Sequence, residues 1–461
     1  MTRFRWTKQQ DFCLRLGLLK ALVATLPRQR RSQLREIVLR RLDDPLFKPA
    51  KRFPELLARA EDQYGSSLPA ELSVSEALLF SSTCSSWGQP IQPAWRQEGH
   101  RETTPKILEW AQAVGLLGPG YRITERGIML QTLFDARTSS AFLGGNPSAW
   151  NPFSISAAER AFFFYHLGEH DELLWQLAID LGNRGAGANI ETSEAHKLTA
   201  RGIRQVLERA RGAIPIKEVS RSRVVRELVE IIEWELDLRP GARRPRSQHF
   251  SIRRRRPGAR RSDRRTTKNA DHQAIPRFEQ LVDLGFLTKN VTHGTVGDEL
   301  ESERKAWKFT VTTAAERFAR AVGDDTTLAN PEWHRRSFAS ALASAGVVRP
   351  NGARQATPKE AVDQFLDVYE TIRRPAGNTP FESVAVLTMI RALEAGLVAE
   401  VDDLHRIFVS IKKERTLEGL ISFAAGNEIE KMFLMVRPGF REAYARVAPL
   451  HPTTRSSDNA C

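Results

Sequence analysis

Few groups in this 461-residue chain have the types and spacing that chemistry requires. His166, Glu169 and His170 lie within five residues. On one helix face the two imidazoles could ligate a zinc ion, with Glu169 as the general base. Gly168 stands between them as a helix breaker, and no third ligand stands out, although Glu227, Glu230 and Glu233 lie downstream. A polar turn between two helices accounts for the motif more simply. Asp298 with Glu303, Arg304 and Lys305 offers carboxylates for a metal ion and a lysine for an attacking water. The separation is short, and no strand run flanks it. Gly182, Gly185 and Gly187 follow a helix pattern, not a strand, and lack the Lys-Ser or Lys-Thr pair of a phosphate loop. No catalytic residue, metal site or cofactor is therefore expected. Phe162, Phe163, Phe164 and Tyr165 read as helix core, because stacking aromatics would be separated by polar residues.

The strongest signal is electrostatic. The formal net charge is +14. Residues 239–268 alone contribute +12, with Asp263 their single acid, so basic and acidic residues nearly balance elsewhere. Pro, Gly and Ser interrupt this stretch and no apolar period offsets the repulsion, which argues for a flexible arm. Extended, thirty residues reach on the order of 100 Å. Arginine donates two parallel hydrogen bonds to phosphate oxygens and does not titrate, and neutralising phosphates releases counterions. The candidate nucleic-acid contacts are Arg243, Arg244, Arg246, Arg253, Arg254, Arg255, Arg256, Arg260, Arg261, Arg264, Arg265 and Lys268, with Arg277 on the helix that follows. A solvated loop or a site for an acidic protein is the alternative.

Three cysteines, Cys13, Cys84 and Cys461, are too few and too scattered for a disulfide framework or a zinc cluster, which favours the cytoplasm. No run of about 18 uncharged apolar residues suggests a membrane span. The N-terminal stretch places Phe12, Leu16, Leu19, Val23 and Leu26 at helical spacing, an amphipathic helix and not a leader.

The patterning is mainly α and multi-domain. Residues 1–150 read as a helical region, 151–238 as a helical domain with Ser156 as a cap and a break near Gly168, 239–268 as the arm, 269–325 as a compact module, and 326–461 as a C-terminal helical domain. Within residues 104–134, a helix capped by Thr104, a Gly118-Pro119-Gly120 turn, the short strand YRIT and a helix from Glu125 follow one another. Residues 272–322 repeat that layout: a helix with Ile275, Phe278, Leu281 and Val282 on one face, the strand KAWKFTVT, and the helix TAAERFARAV. A third copy spans 416–448, with TLEGLISFAAGN, the strand MFLMV and RPGFREAYARV.

This order resembles the C-terminal part of winged-helix, helix-turn-helix DNA-binding domains, so two or three winged-helix-like modules with short β-hairpins are expected. Loosely, it is similar to recognition proteins of bacterial restriction and phage-defence systems. In that family the helix before the hairpin enters the major groove, which implies roles for Arg277, Gln280 and Asn269. The expected function is a non-catalytic subunit binding nucleic acid, double-stranded DNA above all, with other protein subunits as further partners. Asp298, Glu299, Glu301 and Glu303 in the second hairpin would repel phosphates, so a protein scaffold is the second reading. A nuclease whose site the sequence does not reveal is the third.

Overall fold

The computed structural model describes residues 16–24, 110–118, 123–133, 155–213, 264–292, 306–323, 332–348, 352–374, 378–424, 429 and 432–447. These are mainly helical, with twelve α-helices and eight short strands. In chain order they are α1 (Leu16–Ala24), α2 (Glu125–Leu133), α3 (Ala157–His170), α4 (Glu172–Gly182), β1 (Asn189–Glu191), α5 (Thr192–Ala213) and α6 (Arg264–Asp283). Next come β2 (Leu287–Thr292), β3 (Ala306–Val311), α7 (Thr313–Val322), α8 (Trp333–Ala345), β4 (Arg354–Gln355), α9 (Pro358–Ile372), β5 (Thr379–Pro380) and α10 (Phe381–Glu394). The last are β6 (Leu397–Val398), α11 (Val401–Lys412), a 3-10 turn (Arg415–Leu417), β7 (Ile421–Ala424), β8 (Phe433–Val436) and α12 (Phe440–Val447). No described helix is long and apolar enough to cross a membrane.

The chain divides into two compact units, one of Met1–Leu16, Leu57–Trp110 and His166–Pro331, the other of Gly17–Leu56, Ala111–Tyr165 and Glu332–Cys461. In the first, β1, β3 and β2 form an antiparallel sheet with β3 in the middle. Ile190 faces Phe309 across one ladder, and Leu287 faces Val311 across the other. Alternation along β3 turns Phe309 and Val311 inward, where Phe278 of α6 meets Phe309 at 5.2 Å and Phe286 meets Phe318 of α7 at 5.3 Å. Thr312 caps α7 by accepting from Ala315 N, and Gly323 ends it at φ 77°.

Helix α4 packs on α7 so closely that a Cβ on Gly182 would lie 2.2 Å from the Ala315 carbonyl oxygen. Gly168 serves the same purpose, since a Cβ there would fall 1.9 Å from the Trp175 ring. It does not break the helix, as the sequence suggested. α3 runs on to His170, and the chain turns at Asp171. Burial against an indole selects glycine here, which sequence alone does not distinguish from helix breaking.

The second unit carries the same element order. Helix α9, strand β5, helices α10 and α11 and strands β7 and β8 reproduce α4, β1, α5, α6, β2 and β3, and the sheet order β5-β8-β7 again puts the last strand in the middle. A capping box, with Thr357 and Glu360 bonding each other's backbone amides, starts α9 with Pro358 in its first turn. Phe365 stacks within 4.1 Å of Phe408 and 5.3 Å of Phe381, tying α9, α10 and α11 into one core. The third copy anticipated at 416–448 is thus the last part of a larger module. Residues 421–424 are strand, MFLMV and RPGFREAYARV form β8 and α12 as expected, and α9, α10 and α11 lie upstream.

Of the first copy, the described residues show helix at 110–113, the antiparallel bridge Leu117 to Ile123 and α2 from Glu125, in the expected order, while residues 104–109 and 119–122 lie outside them. α2 belongs to the second unit, where Glu125 pairs with Arg374 and the Thr132 carbonyl accepts from Arg391. At the start of α3, Ser156 and Glu159 form the anticipated cap, and Glu159 also receives Lys20 of α1 at 2.7 Å.

Glu400, the residue before α11, is buried and accepts from the Ala339 and Ser340 amides and the Ser340 hydroxyl of α8. Burial pushes its carboxyl up to about 7 against the pull of these donors, and Asp403 adds to the rise. The folded state therefore holds a proton that the unfolded state releases near 4.5, so this residue's contribution to stability falls as pH rises from about 4.5 to 7 and is constant above. In urea unfolding of the full chain, wild type should lose up to roughly 3 kcal/mol relative to Glu400→Gln across that window. Parallel pH profiles for the two proteins would contradict this. Gly182→Ala should cost about 2–3 kcal/mol by overpacking. Gly185→Ala, in open space at φ 85°, should cost only about 1 kcal/mol, and equal losses in thermal melts would refute the contact.

Candidate nucleic-acid interface

In both units the third helix precedes the hairpin, so its exposure decides whether it can meet a ligand. Helix α6 begins at Arg264, and Arg264, Arg265 and Lys268 stand in its first two turns. Arg243, Arg244, Arg246, Arg253, Arg254, Arg255, Arg256, Arg260 and Arg261 lie outside the described residues, as do the acids expected in the hairpin, Asp298, Glu299, Glu301 and Glu303. What the fold fixes is the place of the Arg-rich stretch in the chain. Residues 239–263 of it fall between the second and third helices of the first unit's module, whereas 264–268, expected to belong to the flexible arm, are the start of α6.

From Ala274 to Leu281, α6 is buried on every face. Arg277 is fully buried, and its Nε and Nη2 donate to Asp171 Oδ2 at 2.9 and 2.6 Å. Gln280 is 1% exposed. Arg277 was expected to face a groove, and the structure corrects that: its charge fixes the turn between α3 and α4 to α6. Glu279 on the same helix pairs with Lys289 of β2, also buried, and the Lys289 ammonium lies 5.9 Å above the Phe309 ring. Two full ion pairs in one core are costly to desolvate, and removing one partner of such a pair typically costs about 3–5 kcal/mol. They mark this half of α6 as a structural helix.

The chemical candidates resolve in the same way. His166 Nδ1 lies 3.0 Å from Glu169 Oε2, both buried within α3. No group of three His, Cys, Asp or Glu that could hold a metal ion occurs among the described residues. The glycine loop after α4 has positive φ at Gly185 and Gly187, as a phosphate cradle requires. Its amides are already engaged: Gly185 N donates to the Gly182 carbonyl, Ala186 N to Glu316 Oε2, Gly187 N to the Val311 carbonyl and Ala188 N to the Gly185 carbonyl. No amide from Gly185 to Ala188 is left to bind phosphate.

The second unit differs where it matters. Its second and third helices are joined by only residues 395–400, and β6 within them pairs in parallel with β4. Helix α11 is amphipathic, burying Val401, Leu404, Phe408 and Ile411 and exposing Arg406, Ser410 and Lys412. Lys413, Arg415 and Arg437 beyond it are exposed as well. Sequence reasoning missed this surface because KKER sits among Glu414, Glu418 and two aspartates, so the local charge looks balanced. Only the pairing of the acids shows which cations are free. No protein-family model, no curated protein and no solved structure matches this chain.

Proposed function

We propose that this protein binds nucleic acid, duplex DNA in the first instance, as a non-catalytic component carrying two winged-helix modules. The carrying observation is the repeated order of helix, strand, helix, helix and hairpin with the last strand central, found in both units, with the Arg-rich stretch inserted ahead of the third helix in one of them. Helix, strand, helix, helix, strand, wing and strand is the winged-helix order. The insertion supplies charge where that fold meets phosphates.

The binding mode follows from burial. With Arg277 and Gln280 inside the core, the described half of α6 presents no side chain to base edges. Affinity at the first unit then comes from backbone phosphates, which position a protein without specifying sequence. A recognition subunit of a restriction or phage-defence assembly would use such a module together with other subunits. The same burial, with the acids between β2 and β3, favours a second reading, in which the first unit is a protein-contact module.

The second unit makes the corresponding connection with six residues, so this element order is compatible with a shorter connection. Replacing residues 239–263 by a short Gly-Ser linker in the full chain should leave the circular dichroism spectrum intact. It should flatten the log-log salt dependence of binding to a 30-base-pair duplex by several units, at roughly 0.9 per lost phosphate contact. Duplex binding with unchanged slope and affinity would sink the arm model. Absence of binding by the intact protein would leave the contact-module reading.

A further inference from the structure

The second unit has a charged surface that the Arg-rich stretch does not explain. Lys412 closes α11, Lys413 is its C-cap, Arg415 opens the 3-10 turn and Arg437 follows β8. All four are exposed. They gather at one end of the β7-β8 hairpin, because Arg437 N donates to the Leu420 carbonyl at 2.9 Å and the Lys412 ammonium lies 5.7 Å over the Phe423 ring of β7.

The neighbouring cations are neutralised. Arg406 pairs with Asp403, Arg336 with Asp402 and Arg441 with Asp367. Among the described residues no acid pairs with Lys412, Lys413, Arg415 or Arg437. Glu414 is turned onto Thr416, whose hydroxyl donates to it at 3.1 Å, as the cap of the 3-10 turn. Glu418 and, on α12, Glu442 are exposed acids nearby, and neither pairs with these four cations.

Lysines at the end of a helix offset its dipole, which accounts for Lys412 and Lys413 without a ligand. That explanation does not extend to Arg415 and Arg437, which stand on other elements. What the four share is an exposed, unneutralised charge around one hairpin end, with the nearest aromatic, Phe423, already covered by a lysine stem. A protein partner of high affinity needs apolar or aromatic anchors in a desolvated centre. A phosphate backbone needs only charge.

We infer that Lys412, Lys413, Arg415 and Arg437 form a second phosphate-backbone contact, in the unit without the Arg-rich insertion, so that the chain grips one duplex at two places. The inference rests on the nucleic-acid reading above and adds to it the location of the second contact. Two linked contacts raise affinity through effective concentration, provided the duplex is long enough to reach both.

The test uses the full-length protein and 15- and 40-base-pair duplexes, titrated with salt in four backgrounds: wild type, the linker replacement of 239–263, the quadruple variant Lys412→Ala, Lys413→Ala, Arg415→Ala and Arg437→Ala, and both together. The quadruple variant should keep its thermal midpoint, since it changes only exposed groups. It should weaken binding to the longer duplex ~10-fold or more near 0.1 M salt and lower the salt slope by up to about 3.6, at roughly 0.9 per phosphate. A Lys412→Arg, Lys413→Arg variant should bind as wild type. An unchanged slope in the quadruple variant while the linker variant loses binding overturns the second contact and leaves the nucleic-acid reading standing. Failure of the wild type to bind either duplex overturns both. Competition by poly-glutamate as effective as by unlabelled DNA at equal charge overturns the phosphate assignment in favour of an acidic protein.

Discussion

Each module depends on its last strand. β3 lies between β1 and β2, and β8 between β5 and β7, so neither sheet can close until the hairpin that ends the module has formed. In the first unit this joins Asn189 to Thr310 across most of the module's length, whereas in the second Thr379 joins Leu434. The second and third helices are separated by fifty residues, 214–263, in the first unit and by six, 395–400, in the second. The element order thus tolerates connections of very different length at this position.

That tolerance has a structural counterpart in the buried ion pairs. Arg277 with Asp171, and Lys289 with Glu279, anchor α6 to the turn before α4 and to β2 from within the core. In the second unit Lys20 and Glu159 are likewise paired and buried, and desolvation pushes the lysine down and the glutamate up. Such pairs are poor sources of stability compared with apolar packing. Their directional geometry nevertheless penalises any sliding of α6, because a shift would leave a charge unpaired. A third helix entered from a long insertion needs that fixing more than one entered from a six-residue turn, and the equivalent helix α11 is held by Phe365, Phe381 and Phe408 instead.

Local signals carried well from sequence to structure. Ser156 caps α3 as expected, Leu16, Leu19 and Val23 of α1 are buried, and β3, β8 and α7 lie where their patterns put them. Long-range facts were not legible. β1 is three residues long and has no pattern of its own, being strand only because β3 is beside it. It joins residues expected in a separate helical domain to the sheet of the second module. Arg277 reads as a surface cation until its partner is known, and Asp171 stands 106 residues away in the chain. The free cations after α11 have the same cause in reverse, since two of the neighbouring cations, Arg336 and Arg441, are paired with Asp402 and Asp367 of other helices.

On the nucleic-acid reading proposed above, the two units would divide a polyanion differently. In the first, the sequence concentrates charge in residues 239–263 and residues 274–281 of the third helix are committed to the core, so contacts there would carry no base reading. In the second, the insertion is absent, the third helix is exposed along one side, and four cations are held at fixed positions by a helix end, a 3-10 turn and a strand end. Fixed cations lose less conformational freedom on binding than cations on an unpatterned stretch, so per charge they contribute more to orientation. On that reading steering would fall to the Arg-rich stretch, because dense charge raises the encounter rate with a polyanion, and orientation on the duplex would fall to the second unit.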